Sequence, residues 1–223
     1  MHHPSVIAID GPAGAGKSTL GALLAARLGY LYFDTGVMYR ALTYVAMASG
    51  LDLADQAAIE ELAARVRIEV APPDQDDGRQ YTVLADGADV TAAIREPAVE
   101  RNVSVVARYP GVRRELVRQQ QQIGQRGKVV MVGRDIGTVV MPEAELKLFL
   151  ETSLGERARR RADEQRGRPN PPPVEQVRED LARRDGLDQH VLRPAADAII
   201  LQTDGLSPED EVAWIMRYLA RRG

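Results

Sequence analysis

A glycine-rich segment between an apolar strand and an amphipathic helix constrains the fold of this chain more than any other feature. Residues 6–9 are apolar and predict a short buried strand, and the sequence GPAGAGKST follows at 11–19. From Lys17 onward, leucines recur on one helical face, and Gly29 supplies a stop signal for that helix. The pattern therefore predicts a strand–loop–helix unit at the start of an α/β fold.

The glycine-rich segment fits G-x-x-x-x-G-K-[ST], the phosphate-binding P-loop. Its glycines let backbone N–H groups converge on phosphate oxygens, and the helix N-terminus adds its dipole. Lys17 is expected to contact the outer phosphates, and the Ser18 hydroxyl to bind Mg²⁺. The alternative is a turn that binds nothing, but only three of the 29 basic residues are lysines, so a lysine seldom falls on the motif by chance. The predicted nucleotide-binding residues are Gly11, Pro12, Ala13, Gly14, Ala15, Gly16, Lys17, Ser18 and Thr19.

Composition narrows the class of protein. The 223 residues predict one large domain or one domain with an insertion, and the net charge of −3 gives no general attraction to nucleic acid or membranes. The absence of cysteine excludes disulfides, thiolate metal sites and cysteine nucleophiles. The first strand is expected within a few residues of Met1, which leaves no room for a signal peptide, and no apolar run reaches membrane-spanning length. The predicted location is the cytoplasm.

Strand and helix patterns alternate along the chain. This alternation predicts a three-layer α/β fold in which helices flank a central parallel sheet of about five strands. Between residues 68 and 90 the pattern changes to short strand-like pieces separated by turn sequences, which predict a small antiparallel insert. The predicted sheet strands lie near 6–9, 31–33, 128–132, 146–150 and 198–201.

Arginines near strand ends distinguish this chain from other P-loop proteins. The guanine-reading N-K-x-D motif of GTPases is absent, and residues 146–151 imitate the metal-binding strand of a motor ATPase only weakly. Arg40 and Arg134 follow predicted strands, and further arginines cluster on the helix before a turn-rich segment at 167–173. Guanidinium groups bind phosphate in a bidentate manner, and phosphoryl transfer requires charge stabilisation from several sides. For each arginine the alternative is a solvated surface charge.

At this point the chain resembles the bacterial cytidylate kinases, which belong to the nucleoside monophosphate kinase family of P-loop proteins. The resemblance covers nearly the whole chain. Its segments are IDGPAGAGKS at 9–18, DTGVMYR at 34–40, GRDIGTVV at 133–140 with Pro142, and RRD at 183–185 ahead of PAADA at 194–198. The first segment is shared among nucleoside monophosphate kinases, whereas GRDIGTVV is highly specific to cytidylate kinases.

The resemblance implies an activity and a division of the chain. The implied reaction is Mg²⁺-dependent transfer of the ATP γ-phosphoryl group to CMP, and to dCMP if the ribose site tolerates loss of the 2′-hydroxyl. The implied cofactors are ATP and Mg²⁺, and the short lid implies a compact monomer. Within one kinase domain at 1–223, the resemblance implies a monophosphate-binding region at 37–106, a lid at 157–173 and a core at 1–36, 107–156 and 174–223.

The resemblance also implies roles for individual residues. Charge stabilisation would come from Lys17, Arg134 and the lid arginines, and the metal ligand would be Ser18. The acceptor monophosphate would be held by Thr35, Tyr39, Arg40 and Arg134. Cytosine would be read by Ser104, Arg113 and Asp135, and the ribose would be held by Arg184 and Asp188. The lid arginines are Arg157, Arg160 and Arg161.

The chemistry of the base agrees with these implied roles. Cytosine presents an amino donor at N4 and acceptors at N3 and O2, so a carboxylate and a hydroxyl can accept at N4 while an arginine donates to the others. Uracil reverses the donor at position 4 and the acceptor at position 3. A site built for cytosine would therefore leave buried polar groups unpaired with uracil, and discrimination could be large.

Two segments depart from the family pattern. Most cytidylate kinases carry an acidic residue directly before G-R-D, where this chain has Val132, so the metal would rely on Ser18, phosphate oxygens and water. The segment from Asp188 to Pro194 is a few residues shorter than usual and lacks the arginine that would bind the acceptor phosphate. Its candidate substitutes are Gln189, His190 and Arg193.

Two other functions remain open from the sequence. The first is a kinase for uridylate, adenylate or a non-nucleotide alcohol, against which the insert and the base-reading residues argue. The second is an ATP-binding regulatory or nucleic-acid-associated protein that uses the arginines between 157 and 168. The net negative charge does not attract nucleic acid, and an aromatic content of 4% provides no platform for stacking bases. A nucleic-acid partner is therefore not expected.

Overall fold

The computed structural model describes residues 3–166, 171–189 and 191–221. Within these ranges the strands are β1 (Val6–Asp10), β2 (Leu31–Asp34), β3 (Ile68–Ala71), β4 (Thr82–Ala85), β5 (Ala88–Asp89), β6 (Val129–Gly133), β7 (Leu146–Glu151) and β8 (Ile199–Gln202). The α-helices there are α1 (Lys17–Leu28), α2 (Gly36–Ala48), α3 (Gln56–Arg65), α4 (Pro97–Ala107), α5 (Pro110–Gly124), α6 (Leu154–Gln165), α7 (Val174–Asp188) and α8 (Pro208–Ala220).

A five-stranded sheet with the order β2-β6-β1-β7-β8 forms the centre of the fold. β1 pairs in parallel with β6 and with β7, and β7 pairs in parallel with β8. Every residue of β1 is buried, which is why its sequence is apolar along its whole length except for the terminal aspartate. The structure confirms the predicted α/β fold with a central sheet of about five strands.

The chain divides into two compact units, residues 1–30 with 128–223 and residues 31–127. In the first unit, α1 packs against β6 and α8, and α6 packs against α7. A small apolar cluster joins the P-loop to these last two helices. It consists of the buried Ala13, Ala158, Val177 and Leu181, with the partly buried Leu154 packed against it.

The second unit contains the predicted antiparallel insert. β3, β4 and β5 form a three-stranded sheet in which Ile68 pairs with Ala85, and an Asp86–Gly87 turn with positive φ at both residues connects β4 to β5. The buried Gln119 side chain on α5 accepts from Ile68 N at 3.1 Å and donates to the Val66 carbonyl at 3.1 Å, so α5 covers one end of β3. The insert prediction is confirmed.

Two elements differ from the predictions. The sequence pattern predicts a helix at 174–184, whereas α7 continues to Asp188, so Asp188 lies on the helix instead of in the following loop. The segment after Arg134 and Asp135 forms a π-helical turn, Ile136–Val140, which the sequence pattern did not reveal. The functional division into core, monophosphate-binding region and lid stays a prediction. No helix in the part of the chain that the structure describes is long and apolar enough to cross a membrane.

Candidate active site

The P-loop connects β1 to α1 with a backbone path that requires glycine. Gly16 is the N-cap of α1 and has φ 91°, in the left-handed region that residues with a Cβ rarely adopt. A Cβ added to Gly11 would lie 2.8 Å from the Leu150 carbonyl oxygen at the end of β7, so the strand and the loop approach too closely for any side chain. The loop therefore presents backbone groups at the N-terminus of α1, where anions bind favourably.

Lys17 lies on this loop rather than in solvent. Its side chain is buried, and Nζ donates to the Gly11 carbonyl at 2.8 Å and to the Pro12 carbonyl at 2.6 Å. Ser18 and Thr19, in the first turn of α1, are exposed. The Lys17 ammonium therefore lies against the P-loop backbone, and the two hydroxyls are accessible at the start of α1. Their contacts with phosphate and Mg²⁺ stay predictions.

Asp10, at the end of β1, is a site residue that sequence reasoning missed. It is 4% exposed, and its two carboxylate oxygens accept from Ile136 N and Gly137 N, each at 2.7 Å. Burial raises the pKa of this carboxyl, and the nearby Asp135 adds to the effect, whereas the two N–H donors and Lys17 oppose it. The sequence does contain a signal for this residue. Asp10 is a lone carboxylate at the end of an apolar strand, and a carboxylate buried there requires hydrogen-bond donors.

The Asp10 carboxylate fixes the segment that carries Arg134 and Asp135. Arg134 Nε donates to Asp188 Oδ2 at 2.7 Å, and Nη1 donates to the Gly11 carbonyl at 3.3 Å. Asp135 is buried, and its carbonyl accepts from Val139 N at 2.9 Å within the π-helical turn. The structure thus brings together two predicted substrate residues, Arg134 and Asp188, against the first residue of the P-loop.

The three predicted lid arginines lie on α6 and have different surroundings. Arg157 is buried and donates to the Ala13 and Thr152 carbonyls and to Asp185. Arg160 donates to Glu156 and to the Thr203 and Leu206 carbonyls, and its Nη1 lies 3.3 Å from where a Cβ of Gly16 would be. Arg161 pairs with Glu164 near the surface. Their role as one phosphate-binding group stays a prediction, and residues 167–170 of the predicted lid lie outside the described residues.

The Glu156 carboxylate helps to fix the position of Arg160. Hydrogen bonds from Arg159 and Arg160 hold the pKa of its carboxyl at about 2, despite its partial burial. The Glu156 carboxylate is therefore charged at neutral pH, and it orients Arg160 toward the loop between β8 and α8.

The predicted monophosphate-binding residues begin α2 in the second unit. Thr35 is buried between β2 and α2, and Tyr39 and Arg40 are half-buried in the first turns of the helix. Arg40 lies 3.5 Å from Glu100 of α4. Asp34, which sequence reasoning did not select, accepts from Gly36 N at 2.9 Å and thereby fixes the start of α2.

The remaining predicted residues are divided between the units. In the second unit, Ser104 is exposed on α4 and Arg113 is half-buried on α5. In the first unit, Arg184 is exposed on α7. Of the candidate substitutes for the missing phosphate arginine, Gln189 and Arg193 are exposed, whereas His190 lies outside the described residues.

The structure also bears on the metal site. Val132, which directly precedes Gly133 and Arg134, is 1% exposed in β6 and pairs with Ile9 of β1. In residues 3–166, 171–189 and 191–221, no group of three or more histidine, cysteine, aspartate or glutamate residues could hold a metal ion. An exposed serine hydroxyl beside a phosphate site fits Mg²⁺, which takes few protein ligands and completes its shell with phosphate oxygens and water.

A cavity of about 690 Å³ lies in the first unit beside the P-loop. Its walls include Pro12 of the loop, Thr152 between β7 and α6, Arg157 of α6, and Asp185 and Gly186 of α7. Because a phosphate-binding loop, a buried arginine and a carboxylate line the same cavity, this part of the unit is suited to a polar, charged ligand.

Comparison with known proteins shows which family and which solved structures this chain is similar to. The family model described as "Cytidylate kinase" matches residues 7–221. The chain is 64% identical over 216 residues to a cytidylate kinase of Chloroflexus aggregans, covering 97% of this chain and 94% of that one. It is 55% identical over 223 residues to a cytidylate kinase of Roseiflexus castenholzii, covering 100% and 96%. A solved shikimate kinase from Bacteroides thetaiotaomicron shares the fold, with a TM-score of 0.52 at 14% identity over 98% of this chain and 99% of that one.

Proposed function

This chain belongs to the cytidylate kinase family, and we propose that it transfers the γ-phosphoryl group of ATP to the 5′-phosphate of CMP, giving CDP and ADP. One observation carries this proposal. β1 and β6 end side by side, with Asp10 paired to Gly133, so the P-loop and the Arg134–Asp135 segment begin at adjacent strand ends. The carboxyl ends of parallel strands are where α/β proteins bind ligands.

Arg134 supports this assignment of two substrates to one site. Its guanidinium donates to Gly11 of the P-loop, which would hold ATP, and to Asp188, which would hold the acceptor ribose. An arginine in this position can contact a phosphate of either substrate, since the planar guanidinium presents donors in several directions. We therefore assign Arg134 to the acceptor phosphate and to charge stabilisation during transfer.

The proposed reaction needs no covalent enzyme intermediate. An oxygen of the CMP phosphate attacks the γ-phosphorus of ATP, the bond from that phosphorus to the bridging oxygen breaks, and ADP leaves. Lys17 and the arginines stabilise negative charge on the transferred group and on the leaving oxygens. The Ser18 hydroxyl would hold Mg²⁺, and the bound ion would supply further charge neutralisation.

Selectivity for cytosine is assigned to Asp135, Ser104 and Arg113. Asp135 has a fixed backbone, because Asp10 holds the two residues that follow it. A carboxylate on a fixed backbone can accept from the cytosine amino group, and a base without that donor would leave the carboxylate unpaired. dCMP is a second proposed acceptor, provided that the contacts from Arg184 and Asp188 do not require the 2′-hydroxyl.

The proposed working form is a monomer in the cytoplasm, with no nucleic-acid or membrane partner. Both proposed substrates are soluble nucleotides, and the balanced charge of the chain gives no general attraction to polyanions.

Substitution of Asp135 by alanine tests the function. We expect the Michaelis constant for CMP to rise about 10- to 100-fold, the effect of losing a charge-assisted hydrogen bond, while that for ATP changes less than about threefold. Asp180→Ala is the matched control, because Asp180 is an exposed carboxylate paired only with Arg183 among the described ion pairs. Equal increases for CMP and ATP would contradict the assignment of Asp135 to the base.

A further inference from the structure

The Arg157 guanidinium donates hydrogen bonds to several protein groups. An arginine that moved with the transferred phosphoryl group would have to break them. Its side chain is 6% exposed. Nε donates to the Thr152 carbonyl at 3.2 Å, and Nη1 donates to the Ala13 carbonyl at 3.0 Å. Nη1 and Nη2 also donate to the two carboxylate oxygens of Asp185, at 3.1 and 2.6 Å. This bidentate geometry fixes the guanidinium plane as well as its position.

The Arg157–Asp185 pair joins three elements of the first unit. Ala13 belongs to the P-loop, Thr152 follows β7, and Asp185 lies on α7. Gly14 of the P-loop also packs closely against α6 and α7. A Cβ added to Gly14 would lie 3.4 Å from Arg157 Cβ and 3.6 Å from Leu181 of α7. The P-loop is therefore in direct contact with α6 and α7 at its centre.

A second ion pair connects α7 to the same loop. Asp188 accepts from Arg134, and Arg134 also donates to the Gly11 carbonyl. Asp185 and Asp188 are three residues apart and lie on one face of α7. Each of these two carboxylates thus holds an arginine that also donates to a P-loop carbonyl, Ala13 in one case and Gly11 in the other.

The two pairs differ in exposure, and this difference separates their roles. The Arg134 and Asp188 side chains are 30% and 32% exposed, so ligands can reach both. Arg157 is nearly inaccessible, although Asp185 lines the 690 Å³ cavity at 27% exposure. The accessible pair is suited to contact substrate, whereas the buried pair is suited to hold α7 at a fixed position on the P-loop.

We propose that Arg157 and Asp185 are positioning residues that fix α7 on the P-loop, so that Arg184 and Asp188 of α7 reach the acceptor ribose only while the loop that holds ATP is in place. This inference rests on the proposed function, since it uses the assignment of Arg184 and Asp188 to CMP. It changes the role of Arg157 from stabilising the transferred group to coupling the donor loop with the acceptor helix. It also assigns a role to Asp185.

The test compares Asp185→Asn and Arg157→Lys with the control Asp180→Asn. Asp180 is five residues before Asp185 on α7, and its exposed carboxylate accepts from Arg183 at 2.8 Å. The control therefore makes the same substitution in an exposed arginine–carboxylate pair of the same helix, whose described partner is not on the P-loop. Steady-state kinetics give kcat and the two Michaelis constants. Titration calorimetry gives CMP affinity with and without a non-hydrolysable ATP analogue.

We expect both variants of the pair to raise the Michaelis constant for CMP about five- to tenfold, with kcat reduced less than about threefold. The effect of the ATP analogue on CMP affinity should fall by a similar factor, and the double variant should show no more than the larger single effect. Asp180→Asn should match the unsubstituted protein in all of these measurements.

Three outcomes would overturn the inference. A fall in kcat of about 100-fold with an unchanged constant for CMP would place Arg157 on the transferred group. Unchanged kinetics with a lower melting temperature would mean that the pair only stabilises the fold. Equal effects from Asp180→Asn and Asp185→Asn would mean that the contact of Asp185 with Arg157 has no particular role. Failure of the proposed function itself would be seen separately, as a lack of CMP turnover by the unsubstituted protein. Arg157→Lys keeps the charge, so the test does not depend on the folding of Asp185→Asn alone.

Discussion

Individual carboxylates determine where the arginines around the P-loop lie. Asp185 holds Arg157, Asp188 holds Arg134, and Glu156 holds Arg160. The sequence indicated the arginines through their type and their location near strand ends, but it gave no sign of which carboxylate each would meet. These partners are distant in sequence or one helical turn away, and only the folded chain distinguishes a buried pair from a solvated charge.

Substitution of Asp10 by asparagine should lower the stability of the protein. The side chain would keep one acceptor but place an amide N–H against a backbone N–H of Ile136 or Gly137, because both oxygens now accept. We expect the free energy of unfolding to fall by about 1.5–3 kcal/mol, measured by urea denaturation.

The control for this change is Asp55→Asn. Asp55 caps α3 by accepting from Ala58 N at 3.1 Å, and asparagine caps a helix about as well as aspartate does. That variant should stay within about 0.5 kcal/mol of the unsubstituted protein. Equal losses of stability in the two variants would contradict this prediction, because the buried hydrogen bonds of Asp10 would then contribute no more than the helix cap of Asp55.

Helices and strands were predictable wherever the pattern of apolar residues is local. The sequence pattern predicts a helix at 154–165, and α6 has these bounds. Ser207, a capping residue by its type, precedes α8 and forms a reciprocal capping box with Asp210. The π-helical turn at Ile136–Val140 was not predictable, because its backbone is held by Asp10 from another strand. The extra turn of α7 was missed because residues 185–188 carry mostly polar side chains and a glycine.

The first turn of α8 contains an acidic residue whose surroundings the sequence did not reveal. From the sequence, Glu209, Asp210 and Glu211 are acidic residues that stabilise the N-terminus of a helix dipole. In the structure Glu211 is 2% exposed. Burial raises the pKa of its carboxyl from 4.5 to about 7, and the charge of Arg160 opposes the shift. The fold therefore favours the protonated form, so this group's stabilising contribution is complete below pH 4.5 and is lost as the pH rises through 7.

Glu211→Gln should remove this pH dependence. Relative to the unsubstituted protein, we expect the variant to gain stability as the pH rises from 5 to 8, by on the order of 2 kcal/mol at pH 8. Urea denaturation at several pH values between 5 and 8 measures the difference. A difference that stays constant over this range would show that Glu211 does not titrate there.

At the scale of the whole molecule, the sequence predicted the sheet and the insert but not the distribution of site residues between the two compact units. Lys17, Arg134, Asp135 and the arginines of α6 and α7 belong to the first unit, and the residues at the start of α2 belong to the second, with Ser104 and Arg113. Motif spacing identifies such residues one segment at a time. How residues of different segments combine into one site depends on the folded chain, so motif spacing alone does not determine it.

The central claim is that the chain phosphorylates cytidine monophosphates selectively. The most direct measurement is ADP release from ATP and Mg²⁺ with CMP, dCMP, UMP and AMP offered separately at equal concentrations. We expect turnover on CMP and dCMP to exceed that on UMP and AMP by about 100-fold or more, since a mismatched base leaves buried polar groups unpaired. Turnover on UMP as fast as on CMP, or no turnover on any of the four, would contradict it.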